Sequence, residues 1–232
     1  RIAAQAVKSL LYEVCVTPKP GLVDRANAGA HRDMDIFTFV DSATALTPYF
    51  KACALKGARS GNFSPAQLFA SLRYIGQRAE TDTFGATGGV NTHKGAIFSM
   101  GLLCAAAGRL SVSGGLTPER LCLLCAEMQQ TAADLQKVEC AGAQTAGERI
   151  YIRYGIAGIR GEVAAGFPSV REVSLPVFKA LLSEGYSFND AGAVALIHLM
   201  AQATDTNVIY RAGVKRQQAL KDSLSALLKK TP

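Results

Sequence analysis

Most of the residues in this chain that could do chemistry fall in four polar, glycine-rich or proline-rich stretches, 17–35, 85–94, 145–169 and 204–213. The first reads TPKPGLVDRANAGAHRDMD. Its two prolines stiffen the chain, and Gly21 and Gly29 permit close backbone approach to a ligand. Three carboxylates (Asp24, Asp33, Asp35) are interleaved with three cations (Lys19, Arg25, Arg32), Asn27 and His31. Carboxylates two residues apart, as Asp33 and Asp35 are, suit a hard cation such as Mg²⁺, which takes oxygen ligands and bridges to substrate phosphates. A solvated loop of ion pairs, each worth little, is the competing reading. So long a connector with so few apolar side chains favours function over that alternative.

The second stretch reads GATGGVNTHKG over 85–95 and enters a helix. Backbone N–H groups and the positive helix end would there face an anion, with Lys94 adding a full charge and His93 a second donor. It is not a Walker A loop, because Gly95 follows the lysine where Ser or Thr is needed, and a helix rather than a strand precedes it. Plain helix capping by Asn91 or Thr92 is the simpler reading of the same residues. The third stretch, TAGERIYIRYGIAGIRGEVAAGFPSV over 145–170, offers Arg149, Arg153 and Arg160 to phosphates. Glu148 and Glu162 offer a base or a metal ligand, with some of these charges paired as Arg–Glu bridges. In the fourth, Asp205-Thr206-Asn207 closes an otherwise apolar helix. His198, Gln202 and Asp205 are four and three apart there and share a helical face, although a core histidine is the alternative for His198.

Helices must position these stretches, because the apolar periodicity is helical nearly throughout. It predicts helices over 2–16, 65–83, 91–109, 118–135, 170–184, 187–203 and 214–230. A further stripe runs through Ile36, Phe39, Val40, Ala43 and Leu46, with a kink or restart at Thr47-Pro48. Ser64-Pro65 with Gln67 completes a capping box. Strand signals are nearly absent; 150–159 carries β-branched and aromatic residues but is broken by glycines. The expectation is an all-α single domain over 1–232, of roughly eight or nine helices, with long loops carrying the site.

Composition agrees with a globular chain: hydrophobic residues make up 49% and charged residues 19%, without a low-complexity tract. Lys and Arg number 25 against 18 Asp and Glu, a net charge of +7 that favours phosphorylated or other polyanionic partners. The uncharged run 95–108 is shorter than the roughly 20 apolar residues of a membrane span, and no secretory signal opens the chain. A cytoplasmic protein is therefore expected. The six cysteines lie mostly in apolar helical stretches and read as reduced core thiols, the C-x-x-C of Cys122 and Cys125 included.

The motifs GLVDRANAGAHRDMD, GATGGVNTHKGAIFSMGLL, GERIYIRYGIAGIRGEVAAGFPSV and ATDTNVIYRAG resemble, in order and across nearly the whole chain, the triphosphoribosyl-dephospho-coenzyme A synthase family. The resemblance implies an all-helical fold and a Mg²⁺-dependent reaction of ATP with 3′-dephospho-coenzyme A that releases adenine. The product would be the precursor of the prosthetic group on the acyl carrier subunit of citrate lyase or malonate decarboxylase, with citrate lyase mildly preferred. Family members continue into a Ser-Pro-Gly-Gly-Ser-Ala-Asp stretch, whereas this chain reads Lys229-Lys230-Thr231-Pro232 at its end. The expectation is a catalytic domain that lacks that C-terminal segment.

On this resemblance Asp33, Asp35 and Asp205 are expected to hold Mg²⁺. Lys19, Arg25, Lys94, Arg149 and Arg160 are expected to contact phosphates, with Asn27, Asn91, His93 and Asn207 as further substrate contacts. His31 or Glu162 would serve as base or acid. Two rival classes remain at this level. One is a non-catalytic helical module that binds RNA or another polyanion, against which stand the interleaved aspartates and an aromatic content of 7% without Trp. The other is a hydrolase that passes the ribosyl group to water.

Overall fold

The computed structural model describes residues 1–129, 143 and 145–230, and its contacts divide the chain into two compact units, Arg1–Gln129 and Gln130–Pro232. Among the described residues there are helices and no strand, as the periodicity requires.

The first unit holds α1 (Ile2–Cys15), α2 (Ile36–Ala45), α3 (Thr47–Ala58), α4 (Pro65–Ala86), α5 (Lys94–Ser113) and α6 (Pro118–Met128). Pro48 sits in the first turn of α3 and separates it from α2 at Leu46, so the restart expected there is present. Ser64 accepts from Gln67 N–H while the Gln67 side chain accepts from Ser64 N–H, the reciprocal cap that starts α4. The most extensive packing is α3 on α5. Two glycines permit it: a Cβ on Gly57 would meet the Ala105 carbonyl oxygen at 1.8 Å, and one on Gly108 would meet that of Ala54 at 2.0 Å. Tyr49 Oη donates to the Ile97 carbonyl across the same interface, over Gly101. By length and composition alone α5 could cross a membrane, but its glycine face is the one packed on α3.

The second unit holds α7 (Ala146–Tyr154), α8 (Gly158–Ala164), a π-helical turn (Ser169–Ser174) that runs into α9 (Leu175–Ser183), then α10 (Phe188–Gln202), α11 (Thr206–Ala212) and α12 (Val214–Leu228). The packing centres on α10, which meets α9, α12 and the π turn. Ala191, Ala195 and Ala201 are its buried residues, small enough for close approach.

Three helices stand where connectors are expected from sequence. The stretch 145–169 folds as α7 and α8, started by the capping box of Thr145 and Glu148, whose hydrogen bonds outweigh the β-branched residues that follow. Asp205 is not on the helix of His198 and Gln202, as the spacing implied. That helix ends at Gln202 because Ala203 turns extended, and Asp205 instead caps α11. The helix expected over 118–135 stops at Met128, with Gln129 extended; 130–135 lie outside the described residues. Cys53, Cys104, Cys122 and Cys125 are buried free thiols, and burial pushes Cys53 and Cys104 up to about 12 and Cys125 up as well, so they serve packing. Cys140 lies outside the described residues.

Candidate functional site

In the first unit, the loop 17–35 spends much of its charge on itself. Asp24, 3% exposed, accepts from the Thr17 hydroxyl at 2.7 Å and from the backbone N–H groups of Ala26, Asn27 and Lys19 at 2.8, 2.9 and 3.0 Å. Burial opposes its ionisation, yet the Thr17 hydroxyl and the three N–H groups together hold its carboxyl down at about 2. Lys19, expected at the phosphates, is buried instead, with Nζ 2.5 Å from Glu13 Oε1. Asn27 Oδ1 accepts from Gly29 N–H, which fixes the loop tip, and Arg25 is exposed beside it. Asp35 caps α2: its Oδ1 accepts from the Thr38 N–H and hydroxyl, which hold its pKa below the usual range. His31 Nδ1 lies 3.8 Å from Asp33 Oδ1, with the aspartate exposed.

A Mg²⁺ that arrives on a nucleotide keeps most of its waters and needs only one or two protein carboxylates. Asp33 is exposed and the cap of α2 uses only Oδ1 of Asp35, so the loop offers carboxylate oxygens of that kind. Among the described residues no group of three or more His, Cys, Asp and Glu side chains forms a cage. Asp205, on the other unit, uses Oδ1 to accept from the N–H groups of Asn207 and Val208.

The start of α5 has two faces. Lys94 Nζ is 3.5 Å from Glu80 Oε2, and with Asn91, Thr83, Phe84, Val90 and Ile97 these residues line a cleft of about 130 Å³, too small for a nucleoside triphosphate. His93 turns inward. Its Nδ1 lies 2.7 Å from Ser42 Oγ, which accepts from Thr92 Oγ1 at 2.6 Å, and Phe39 packs edge-on at 5.1 Å. Burial lowers its pKa to about 4, so at neutral pH it is an uncharged imidazole and not the cationic partner of an anion. Ser42 gives no signal in the sequence, because its partners are 50 and 51 residues away, at the entry to α5.

The second unit holds a cavity of about 430 Å³. Its polar wall is Glu162, Ser169, Glu172, Gln202 and Thr204, and Ile156, Pro168 and Val173 supply flat apolar surface. Glu162 Oε2 accepts from the Ser169 hydroxyl at 2.8 Å and, at 3.4 Å, from its N–H. Oε1 has no hydrogen-bond partner among the described residues. Two unusual backbone features lie in the wall of the cavity or next to it in the chain. The π turn carries Ser169, Glu172 and Val173 into the wall, and such turns are frequent at functional sites. Phe167, just before it, is buried with φ at 57°, a left-handed conformation that costs a bulky residue about 1–3 kcal/mol and persists only where its surroundings enforce it.

Of the residues expected from sequence, the structure gives Glu162 a place on this cavity and adds Ser169, Glu172 and Gln202 beside it. Arg160 pairs with Glu148 at 3.6 Å, the Arg–Glu bridge that the sequence allowed, and Arg149 stacks over Tyr210 at 5.9 Å. Asn207 is exposed in the first turn of α11. Neither arginine lines the cavity.

A family model described as ATP:dephospho-CoA triphosphoribosyl transferase matches residues 1–232. The chain is 41% identical over 230 residues to the 2-(5″-triphosphoribosyl)-3′-dephosphocoenzyme-A synthase of Pectobacterium atrosepticum, covering 98% of this chain and 76% of that protein. It is 41% identical over 216 residues to the protein of the same name from Klebsiella pneumoniae, covering 92% of this chain and 71% of that one. No solved structure matches it.

Proposed function

The chain belongs to the ATP:dephospho-CoA triphosphoribosyl transferase family and is a transferase, and from that premise we propose its substrates and the residues that serve them. ATP gives up its 5-triphosphoribosyl group to the 2′-hydroxyl of 3′-dephospho-coenzyme A, and adenine leaves. The bond from the ATP ribose to the adenine nitrogen breaks, and adenine departs with the electron pair. A bond from the same carbon to the acceptor oxygen forms, and the hydroxyl proton is taken by a base and ends on adenine. The transition state has oxocarbenium character, as in glycoside cleavage.

The observation that carries the residue assignment is Glu162, a carboxylate on the wall of the 430 Å³ cavity with one oxygen fixed by Ser169. Held in this way, Glu162 takes the proton of the acceptor hydroxyl. His31, beside Asp33, is the acid or base at the other reacting partner. Mg²⁺ bound with Asp33 and Asp35 would neutralise triphosphate charge. Arg25, Lys94, Arg149 and Arg160 are the cations that would steer and hold phosphates, since the triphosphate is retained and not cleaved. Residues 1–232 act as one catalytic domain of a cytoplasmic biosynthetic enzyme. Its product goes on to the acyl carrier subunit of citrate lyase or malonate decarboxylase.

Adenine release from ATP and Mg²⁺, followed by chromatography with and without 3′-dephospho-coenzyme A, tests the reading. Adenine that appears only with the acceptor, together with a coupled product, supports transfer. Release without the acceptor would make the protein a ribosyl hydrolase, and salt-sensitive RNA binding without any adenine would make it a polyanion-binding module.

A further inference from the structure

We propose that the cavity of the second unit seats the adenosine end of 3′-dephospho-coenzyme A, and that its acidic wall rejects coenzyme A, which differs by one phosphate on the 3′-oxygen. The proposal rests on the transferase reading and adds to it the site that decides the acceptor. Among the described residues two carboxylates, Glu162 and Glu172, line the cavity and no lysine or arginine does. Such a wall accepts hydrogen bonds from uncharged hydroxyl and amino groups, as a ribose edge and an adenine amine present them. Ile156, Pro168 and Val173 supply the apolar surface that a flat base covers, and Gln202 adds an amide of the kind that pairs with adenine. A volume of about 430 Å³ is in the range of small-ligand pockets.

The discrimination follows from the positions of the groups on the ribose. With Glu162 within hydrogen-bond reach of the 2′-hydroxyl, a 3′-phosphate one carbon away would stand against that carboxylate and share the cavity with Glu172. Arg171 Nη2 pairs with Glu172 at 2.8 Å, which tempers the second charge without contributing a cation to the wall. Rejection by like charge is the cheapest way to tell apart two ligands that are otherwise identical.

Equilibrium binding of 3′-dephospho-coenzyme A and of coenzyme A to the full chain, by calorimetry, tests this. Coenzyme A is expected to bind about tenfold weaker or worse, from repulsion between two charged groups at short range. Glu172→Gln removes one carboxylate from an exposed position and leaves Arg171 without its partner. It should narrow the ratio several-fold by tightening coenzyme A. Glu184→Gln, the same charge change on an exposed residue of the same unit outside the cavity, should leave the ratio where it is. Equal affinities in the unaltered chain, or equal ratios in the two variants, would overturn the assignment. The transferase reading has its own readout: adenine release with 3′-dephospho-coenzyme A in the same preparation, whose absence sinks that reading whatever the binding ratio.

Discussion

The loop 17–35 and the wall formed by 156–174 are both rich in charge and glycine, but they use these residues in opposite ways. In the first, Asp24 is consumed by four hydrogen bonds, Lys19 is buried against Glu13, and Asp35 closes a helix. In the second, Glu162 and Glu172 border an open cavity, and the backbone around them holds a π turn and a left-handed phenylalanine. Charge density in a connector therefore marks a site only where the fold leaves the charge something to bind. Where a carboxylate already has its donors, as Asp24 has, the same composition is architecture; Asp33 and the Oδ2 of Asp35 are what this loop leaves for a ligand.

The largest effect should come from the cavity. Glu162→Gln keeps an acceptor for Ser169 and is expected to lower kcat by about 100-fold or more while the melting temperature stays within a few degrees. A stable but fully active variant would remove the contrast between the two regions. Next is His93, whose folded pKa of about 4 lies below its ordinary 6.5. Between those values the unfolded chain takes up a proton that the folded chain refuses. Stability is therefore intact above pH 6.5 and falls as pH drops toward 4, by about 3 kcal/mol at most. Denaturant titrations across that window should show the slope, and His93→Gln should flatten it.

Asp24→Ala strands the N–H groups of Ala26, Asn27 and Lys19 and is expected to cost about 2 kcal/mol, read as a lower urea midpoint. The depressed pKa of Asp24 gives a stabilisation that is present above the ordinary carboxylate range and is lost as pH falls toward 2. If Asp24→Ala abolished activity at unchanged stability, Asp24 would itself belong to the site and not only to the frame of the loop. The smallest effect is expected at Asp35→Ala, where loss of the α2 cap should cost about 1 kcal/mol. A Mg²⁺ requirement that stayed unchanged in this variant would remove Asp35 from the proposed metal set.

By itself the sequence determined the helical class, because a 3.6-residue apolar period and helix caps such as Ser64 and Thr117, each followed by proline, are local signals that need no distant partner. It determined the family as well, through motifs spread across 1–232. The capping box at Thr145 and Glu148 was equally legible and marks α7, although the β-branched residues after it point the other way. Tertiary structure decided the rest, since burial and partnership are properties of contacts between distant residues. It made His93 a neutral core imidazole through Ser42, 51 residues away, turned Lys19 inward, and moved Asp205 from the helix of His198 to the cap of the next. Only the packing of the π turn with α8 and the end of α10 around one cavity separates Glu162 from the charged residues that resemble it in sequence.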